Sequence, residues 1–357
     1  MHLMHLQIQG FRNLINTEFQ PANGVNLIFG ENASGKTSLL ESIYYLSHIR
    51  SFRSQHVTDL INNKSDHLEL SARIANGVSE MPIGIRRSKN KLDVRMNREP
   101  VRRVIDIATQ FPVLAIHPDS YRLIAGGSSQ RRQYLDWGVF HVEHGFFDGW
   151  RRYKRALSQR NAALKSKQND AYCAMWNTEL QETATRIDML RKTYLSDLRP
   201  YVAALIDEFF PAQKVDVEYK RGWNEETELR ELLVRDLKKD RFRGFTQYGP
   251  HRADLVLEVD GQSAQNGISR GQQKLLIALL RLAQARQFTE STGRSCALLY
   301  DDLAAELDKK HRDKILNVLT EMRVQLFLTA IEPAQIDISG WANKKTFHVE
   351  RGLVKSL

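Results

Sequence analysis

Hydrophobic positions first alternate and then run together along the amino-terminal third of the chain. Residues 3 to 9 set Leu3, His5 and Gln7 against Met4, Leu6 and Ile8, the period-two pattern of a half-buried strand, and Gly10-Phe11-Arg12-Asn13-Leu14 follows as a turn. Thr17 to Gln20 reads as a second short strand. Pro21-Ala22-Asn23-Gly24 breaks the chain before an apolar run ending in Leu27-Ile28-Phe29, a strand of buried type. Alternation returns at 67 to 74, 81 to 87 and 92 to 96, separated by Asn-Gly and Lys-Asn turns, which predicts a β-rich lobe. Pro112 to Pro118 encloses a short apolar strand. From Gln130 to Phe210 helix breakers are sparse, so helices dominate, and Trp176, Leu180, Thr183, Ile187, Leu190 and Tyr194 fall at alternating steps of four and three. That stripe is long enough for a helical hairpin and too short for a coiled-coil arm. Strand-like alternation resumes over 211 to 220, residues 225 to 240 predict a charged helix, and a strand at 255 to 259 runs into an Asp-Gly turn. The fold class expected is α/β: residues 1-127 and 211-357 form a head with a mixed β-sheet and a flanking β-rich lobe, and 128-210 form an inserted α-helical domain.

The chain of 357 residues, 42% hydrophobic, can hold two or three domains around a sizeable core, which excludes a disordered protein. Lys and Arg number 52 against 42 Asp and Glu, a net charge of +10 that favours a polyanionic partner such as nucleic acid. Cys173 and Cys296 are the two cysteines, so there is neither a disulfide framework nor a CxxC metal site. The start carries no basic region followed by an apolar core, and no stretch approaches the roughly twenty apolar residues that cross a bilayer. The expected location is cytoplasmic, with no membrane partner.

Candidate chemistry begins where the apolar strand enters Gly30-Glu31-Asn32-Ala33-Ser34-Gly35-Lys36-Thr37-Ser38, a G-x-x-x-x-G-K-[ST] loop followed by an apolar-periodic helix. A triphosphate needs a concave row of backbone N–H donors, and glycines let the chain turn with no Cβ in the way. The helix presents unpaired amides and its positive dipole end to the phosphates, Lys36 neutralises the outer ones, and the Thr37 hydroxyl is placed to ligate Mg2+. ATP and Mg2+ are therefore the expected cofactors.

Two further segments refine this. Cys296-Ala297-Leu298-Leu299-Tyr300-Asp301-Asp302 is a buried strand ending in two carboxylates, Asp301 to hold the metal through water and Asp302 to orient the attacking water, although such an end also suits a strand entering a solvated turn. Ile268-Ser269-Arg270-Gly271-Gln272-Gln273-Lys274 opens an apolar helix; its serine and amides suit a γ-phosphate, and the same serine suits a plain helix cap.

In this order the segments resemble the Walker A, L-S-G-G-Q signature, Walker B and D-loop (Leu303 to Asp308) of ABC-type ATPases. With Gly10-Phe11-Arg12-Asn13-Leu14, Ser51-Phe52-Arg53, Arg131-Arg132-Gln133-Tyr134-Leu135-Asp136, Lys154-Arg155-Ala156-Leu157-Ser158-Gln159-Arg160-Asn161 and Gly249-Pro250-His251-Arg252, the chain resembles the RecF family of SMC-like and Rad50-like heads over nearly its whole length. Arg270 departs from the small residue of the signature, and the switch-like strand end Leu328-Thr329-Ala330-Ile331 holds no histidine. Gln110 is the candidate Q-loop glutamine. The resemblance implies a homodimer closed head to tail on ATP, in which Ser269, Arg270, Gly271 and Gln272 serve the partner's nucleotide and Asp308 lies against the partner. It implies binding to double-stranded and gapped DNA near single-strand/double-strand junctions, with RecR and RecO as partners in loading recombinase. Asp302 stands where many ABC ATPases carry glutamate, and its shorter reach implies slow hydrolysis, with Lys36 and Asp302 as the catalytic pair.

The basic positions Arg86, Arg87, Lys89 and Arg95 of the lobe and Arg151, Arg152 and Arg155 of the helical domain are the candidate DNA path, flanked by Arg160, Lys165 and Lys167; a solvated face is the competing reading of each. His251 and Arg252 suit a structural turn as well as a nucleotide-proximal element. Trp137, Trp150 and Trp176 read as core anchors. A phosphate-loop kinase would need neither Ser269 nor Asp308, and a Rad50-like DNA tether would need a rod.

Overall fold

The computed structural model describes residues 1–77, 79–166 and 168–357, so Lys167 lies outside the described residues. Its strands are His2–Phe11 (β1), Leu14–Phe19 (β2), Val25–Phe29 (β3), His67–Asn76 (β4), Ser79–Ser88 (β5), Leu92–Met96 (β6), Glu99–Pro100 (β7) and Val113–Ile116 (β8). Then follow Val215–Lys220 (β9), Asp254–Val259 (β10), Gln262–Ser263 (β11), Ala297–Tyr300 (β12), Gln325–Ala330 (β13), Lys344–Glu350 (β14) and Leu353–Ser356 (β15). The chain divides into two compact units, Met1–Ser120 with Lys274–Leu357, and Tyr121–Gln273.

The first unit holds two six-stranded sheets. One runs β15-β14-β3-β13-β12-β8 and is parallel except for the β14–β15 hairpin. Parallel strands covered on both faces must be apolar throughout, and β8, β12 and β13 are buried at every position, as is β3 apart from Phe29. In register, Tyr300 lies beside Leu328 and Ile116, and Leu328 beside Leu27, so the carboxyl ends of β3, β8, β12 and β13 open on one edge, where ligands of α/β sheets sit. The other sheet, β2-β1-β4-β5-β6-β7, is antiparallel and is the β-rich lobe that the alternation predicts. One core joins both sheets to the helix Lys36–His48, drawing on Ile8, Phe11, Ile28, Leu39, Ile43, Ile85, Phe327 and Phe347. Phe19 packs its ring 4.6 Å from that of Phe347.

The second unit carries the helices Ser128–Val142, Phe146–Lys165 and Asn177–Phe209, and the three-stranded sheet β11-β10-β9. The heptad-like stripe is the buried side of the 33-residue helix Asn177–Phe209, where Leu180, Thr183, Ile187, Leu190 and Tyr194 are covered and Pro200 is accommodated within the helix. The unit is larger than the expected 128-210. β9 and β10 pair with each other, Arg131 gives Asp254 two hydrogen bonds of 2.7 and 2.9 Å, and Arg132 donates to the Ala253 carbonyl at 2.6 Å, which ties 211 to 273 to the helices. The charged helix expected over 225 to 240 is two, Leu229–Arg235 and Leu237–Arg243, interrupted at Asp236.

Candidate nucleotide site and signature helix

At the carboxyl end of β3 the backbone turns through Gly30 (φ 152), Ala33 (φ 63) and Gly35 (φ 121) before the helix Lys36–His48. A Cβ on Gly30 would lie 2.2 Å from the Val349 carbonyl oxygen, so this corner accepts glycine alone. Two neighbouring turns hold the loop: Asn13 Nδ2 donates to the Ser34 carbonyl at 3.2 Å, and the Gly352 N–H donates to the same oxygen at 2.8 Å. No side chain caps the first turn of the helix, whose amides face the cleft at the loop. The Ser34 hydroxyl is buried and has no hydrogen-bond partner among the described residues.

The cleft measures about 740 Å³ and is lined by Asn32, Ala33, Gly35, Lys36, Thr37, Ser38, Asp301, Asp302 and Thr329, which brings together the Walker A and Walker B residues chosen from the sequence. Lys36 Nζ donates to the Gly30 and Glu31 carbonyls at 2.7 and 2.8 Å. Burial lowers its pKa, while Asp302 and Asp301 act in the opposite direction. The Thr37 hydroxyl reaches both Asp301 oxygens, at 3.1 and 2.9 Å. Burial raises the pKa of Asp301 against the opposing hydrogen bonds of Thr329 and Thr37. Asp302 is left-handed at φ 59, ψ 41, a conformation that non-glycine residues hold only where their surroundings fix it. A hydroxyl beside a carboxylate is a hard oxygen donor set, which suits magnesium, an ion that takes few protein ligands and keeps several waters. Among the described residues no group of three or more His, Cys, Asp or Glu could hold a metal, so a site with denser protein ligation is not on offer.

Five neighbours of the site lie outside the phosphate loop and the acidic strand end. Glu41, fully buried on the loop helix, accepts two hydrogen bonds from Arg12 at 2.8 and 2.7 Å and one from the Ser51 hydroxyl, with Arg53 Nη1 at 3.7 Å. The signal for these in the sequence is the pair of short blocks holding Arg12 and Arg53. Thr329, also fully buried, hydrogen-bonds Asp301 and the Asp302 amide, and the sequence marks it only as part of the switch-like strand end. Gln110 does not line the cleft. It ends the helix Ile105–Gln110, ahead of β8, and at the other end of that strand Pro118 lines the cleft and His117 stacks on Phe52 at 4.5 Å.

Ser269 precedes the helix Arg270–Thr292 in a reciprocal cap: its hydroxyl accepts the Gln272 N–H at 3.3 Å, and the Gln272 side chain accepts the Ser269 N–H at 3.0 Å. Ser269, Arg270 and Gly271 are exposed, so the cap leaves one face of the serine to solvent. Asp308 is exposed and caps the helix Lys309–Glu321, accepting the His311 N–H at 3.0 Å, with its other oxygen 2.6 Å from His311 Nδ1.

The basic positions fare unequally. Arg86, Lys89 and Arg95 are exposed, Arg95 with Asp93 at 3.7 Å, but Arg87 shares the phase of Ile83 and Ile85 and turns toward the interior, its Nε buried. Arg155 is exposed, Arg151 is exposed beside Asp148 at 3.3 Å, and Arg152 is engaged by Glu179 through two bonds of 2.7 and 2.9 Å. Arg160 is fully buried against Asp240, Thr246 and the Leu233 carbonyl. His251 is held between the Tyr153 hydroxyl at 2.6 Å and the Thr246 carbonyl at 3.0 Å, so it is a structural turn residue of the second unit.

A family model described as the RecF/RecN/SMC N terminal domain matches residues 2–355. The DNA replication and repair protein RecF of Thioalkalivibrio sulfidiphilus (strain HL-EbGR7) is 40% identical over 357 residues, covering 99% of each chain. The chain belongs to the RecF family. RecF of Shewanella piezotolerans (strain WP3 / JCM 13877) is also 40% identical, over 356 residues and 99% of each chain. Two solved structures of the recombination mediator protein RecF in the RecFOR pathway, one with ATP and one with ATPrS, superpose with TM-scores of 0.89 and 0.87 at 26% and 27% identity. They cover 100% of this chain and 97% and 98% of theirs. The Smc head domain of Pyrococcus furiosus shares the fold, with a TM-score of 0.61 at 14% identity. The fold is thus the mixed α/β head of RecF and SMC ABC-type ATPases. No helix among the described residues is long and apolar enough to cross a membrane.

Proposed function

We propose that this chain is an ATP-timed DNA clamp: it binds ATP with magnesium, closes as a head-to-tail homodimer, holds duplex DNA near the single-strand/double-strand junctions of gaps, and works with RecR and RecO to load recombinase. The observation that carries the nucleotide part is the meeting of the Thr37 hydroxyl and the Asp301 carboxylate beside a glycine-cornered loop with an uncapped helix start. Magnesium, when bound there, neutralises charge on the outer phosphates. Lys36 exchanges its two carbonyl partners for phosphate oxygens, the loop amides and the Ser34 hydroxyl hold the remaining ones, and Asp302 orients the attacking water. Its side chain is one methylene shorter than glutamate, so turnover stays at or below about 1 s⁻¹, the low end of the enzyme range.

The exposed positions of Ser269 and Asp308 support the dimer, because the bonds described for each stay within the first turn of the helix that it caps. Arg86, Lys89, Arg95, Arg151 and Arg155 provide phosphate contacts without reading bases. Light scattering with and without a non-hydrolysable ATP analogue tests the reading. ATP-dependent doubling of mass in the unaltered chain, lost in Lys36→Ala with the nucleotide affinity and in Ser269→Ala without it, supports the clamp. A mass that ATP leaves unchanged points instead to a lone phosphotransferase.

A further inference from the structure

The strand end that lacks a histidine at the switch position carries Thr329, whose side chain is fully buried at the floor of the cleft. Its hydroxyl both donates and accepts within the Walker B pair. It donates to Asp301 Oδ1 at 2.8 Å and accepts the Asp302 N–H at 2.7 Å. Asp302 is the one residue of this segment with positive φ, and directly after it the chain turns into the short helix Leu303–Glu306, whose Ala305 and Glu306 amides bond back to the Asp302 carbonyl at 3.0 and 3.1 Å. One hydroxyl therefore joins the side chain of the first carboxylate to the main chain of the second. A valine would keep the shape and lose both bonds, and β13 would still pair with β12 and β3.

We infer that Thr329 is a positioning residue that holds Asp302 in its left-handed conformation and so aims the carboxylate at the attacking water, a task done without a switch histidine. The inference rests on the ATP-hydrolysing reading for its kinetic consequence and on the free protein for its structural one. Loss of a hydrogen bond to a buried partner corresponds to about tenfold in a local opening equilibrium.

The test compares Thr329→Val and Thr329→Ser with the unaltered chain in two measurements. Amide hydrogen exchange on the nucleotide-free protein should show the Asp302 amide exchanging about tenfold faster in Thr329→Val and returning toward the original rate in Thr329→Ser. Steady-state turnover should fall about tenfold in Thr329→Val with KM within about threefold of the original, and recover in Thr329→Ser. The Asp301 amide, bonded to the Ile116 carbonyl at 2.8 Å, is the internal control and keeps its protection. An Asp302 amide indifferent to the valine, a serine variant as impaired as the valine one, or an Asp301 amide that opens alongside would each overturn the inference. Absence of turnover in the unaltered protein would defeat the hydrolytic reading instead and leave the exchange comparison to decide the role of Thr329.

Discussion

Glu41 shows how much of the site rests on residues that bind nothing. A carboxylate with no exposure is tolerated because Arg12 donates to both of its oxygens, and leaving it unpaired in the interior is costly. Arg12→Ala is expected to lower stability by about 3 kcal/mol in a denaturant titration, whereas Arg53→Ala, 3.7 Å away and partly exposed, is expected to cost less than about 1 kcal/mol. His251 gives a pH-dependent counterpart. Burial pushes its imidazole down to about 4, against the opposing bond to the Thr246 carbonyl, from the ordinary value of 6.5. Below pH 6.5 the unfolded chain therefore takes up a proton that the folded chain refuses. Stability is full above pH 6.5 and falls by roughly 1.4 kcal/mol per pH unit until about pH 4, a loss near 3 kcal/mol in total. Guanidinium unfolding at pH 7 and pH 4.5 should show this loss shrinking by about 2 kcal/mol in His251→Gln. Lys36 and Thr37 are legible in the sequence because phosphate chemistry fixes the spacing of their loop, and Asp301 because it ends an apolar strand. The bonds of Glu41, Thr329 and Arg160 are not, because their partners lie between 10 and 86 positions away and no local pattern announces them.

Elements are legible where one rule governs them. Apolar runs give β3, β8 and β12, alternation gives β4 to β6, and the four-three stripe gives the long helix with Pro200 inside it. The segment from 211 to 273 belongs with the helices and not with the head, and the sequence hides this because strand pairing and the Arg131–Asp254 ion pair are tertiary facts. Arg87 reads as exposed by its charge although strand alternation places it with Ile85, and the phase of the strand decides. At the signature Ser269 caps its helix while remaining exposed, so the cap leaves room for the proposed role at a partner's nucleotide. Ser269→Ala should lower stability by about 1 kcal/mol, the usual cost of losing a cap, and leave the affinity of a fluorescent ATP analogue within about twofold.

For the whole molecule the surplus of ten positive charges serves the proposed DNA contact most where cations are exposed and carry no strong partner. Neutralising Arg86 and Lys89 together should reduce the slope of log DNA affinity against log salt by up to nearly 2, at about 0.9 for each phosphate that is no longer neutralised, while Arg152→Gln, whose partner is Glu179, should change it little. In the proposed clamp each triphosphate is held by the phosphate loop of one copy and the signature of the other. Mixing Lys36→Ala with Ser269→Ala chains tests this most directly, since a mixed pair rebuilds one intact site from the loop of one variant and the serine of the other. Light scattering with a non-hydrolysable ATP analogue and gapped duplex should find each variant alone monomeric and the mixture dimeric. A mixture as monomeric as its components, or a Ser269→Ala chain that dimerises by itself, would contradict the shared site.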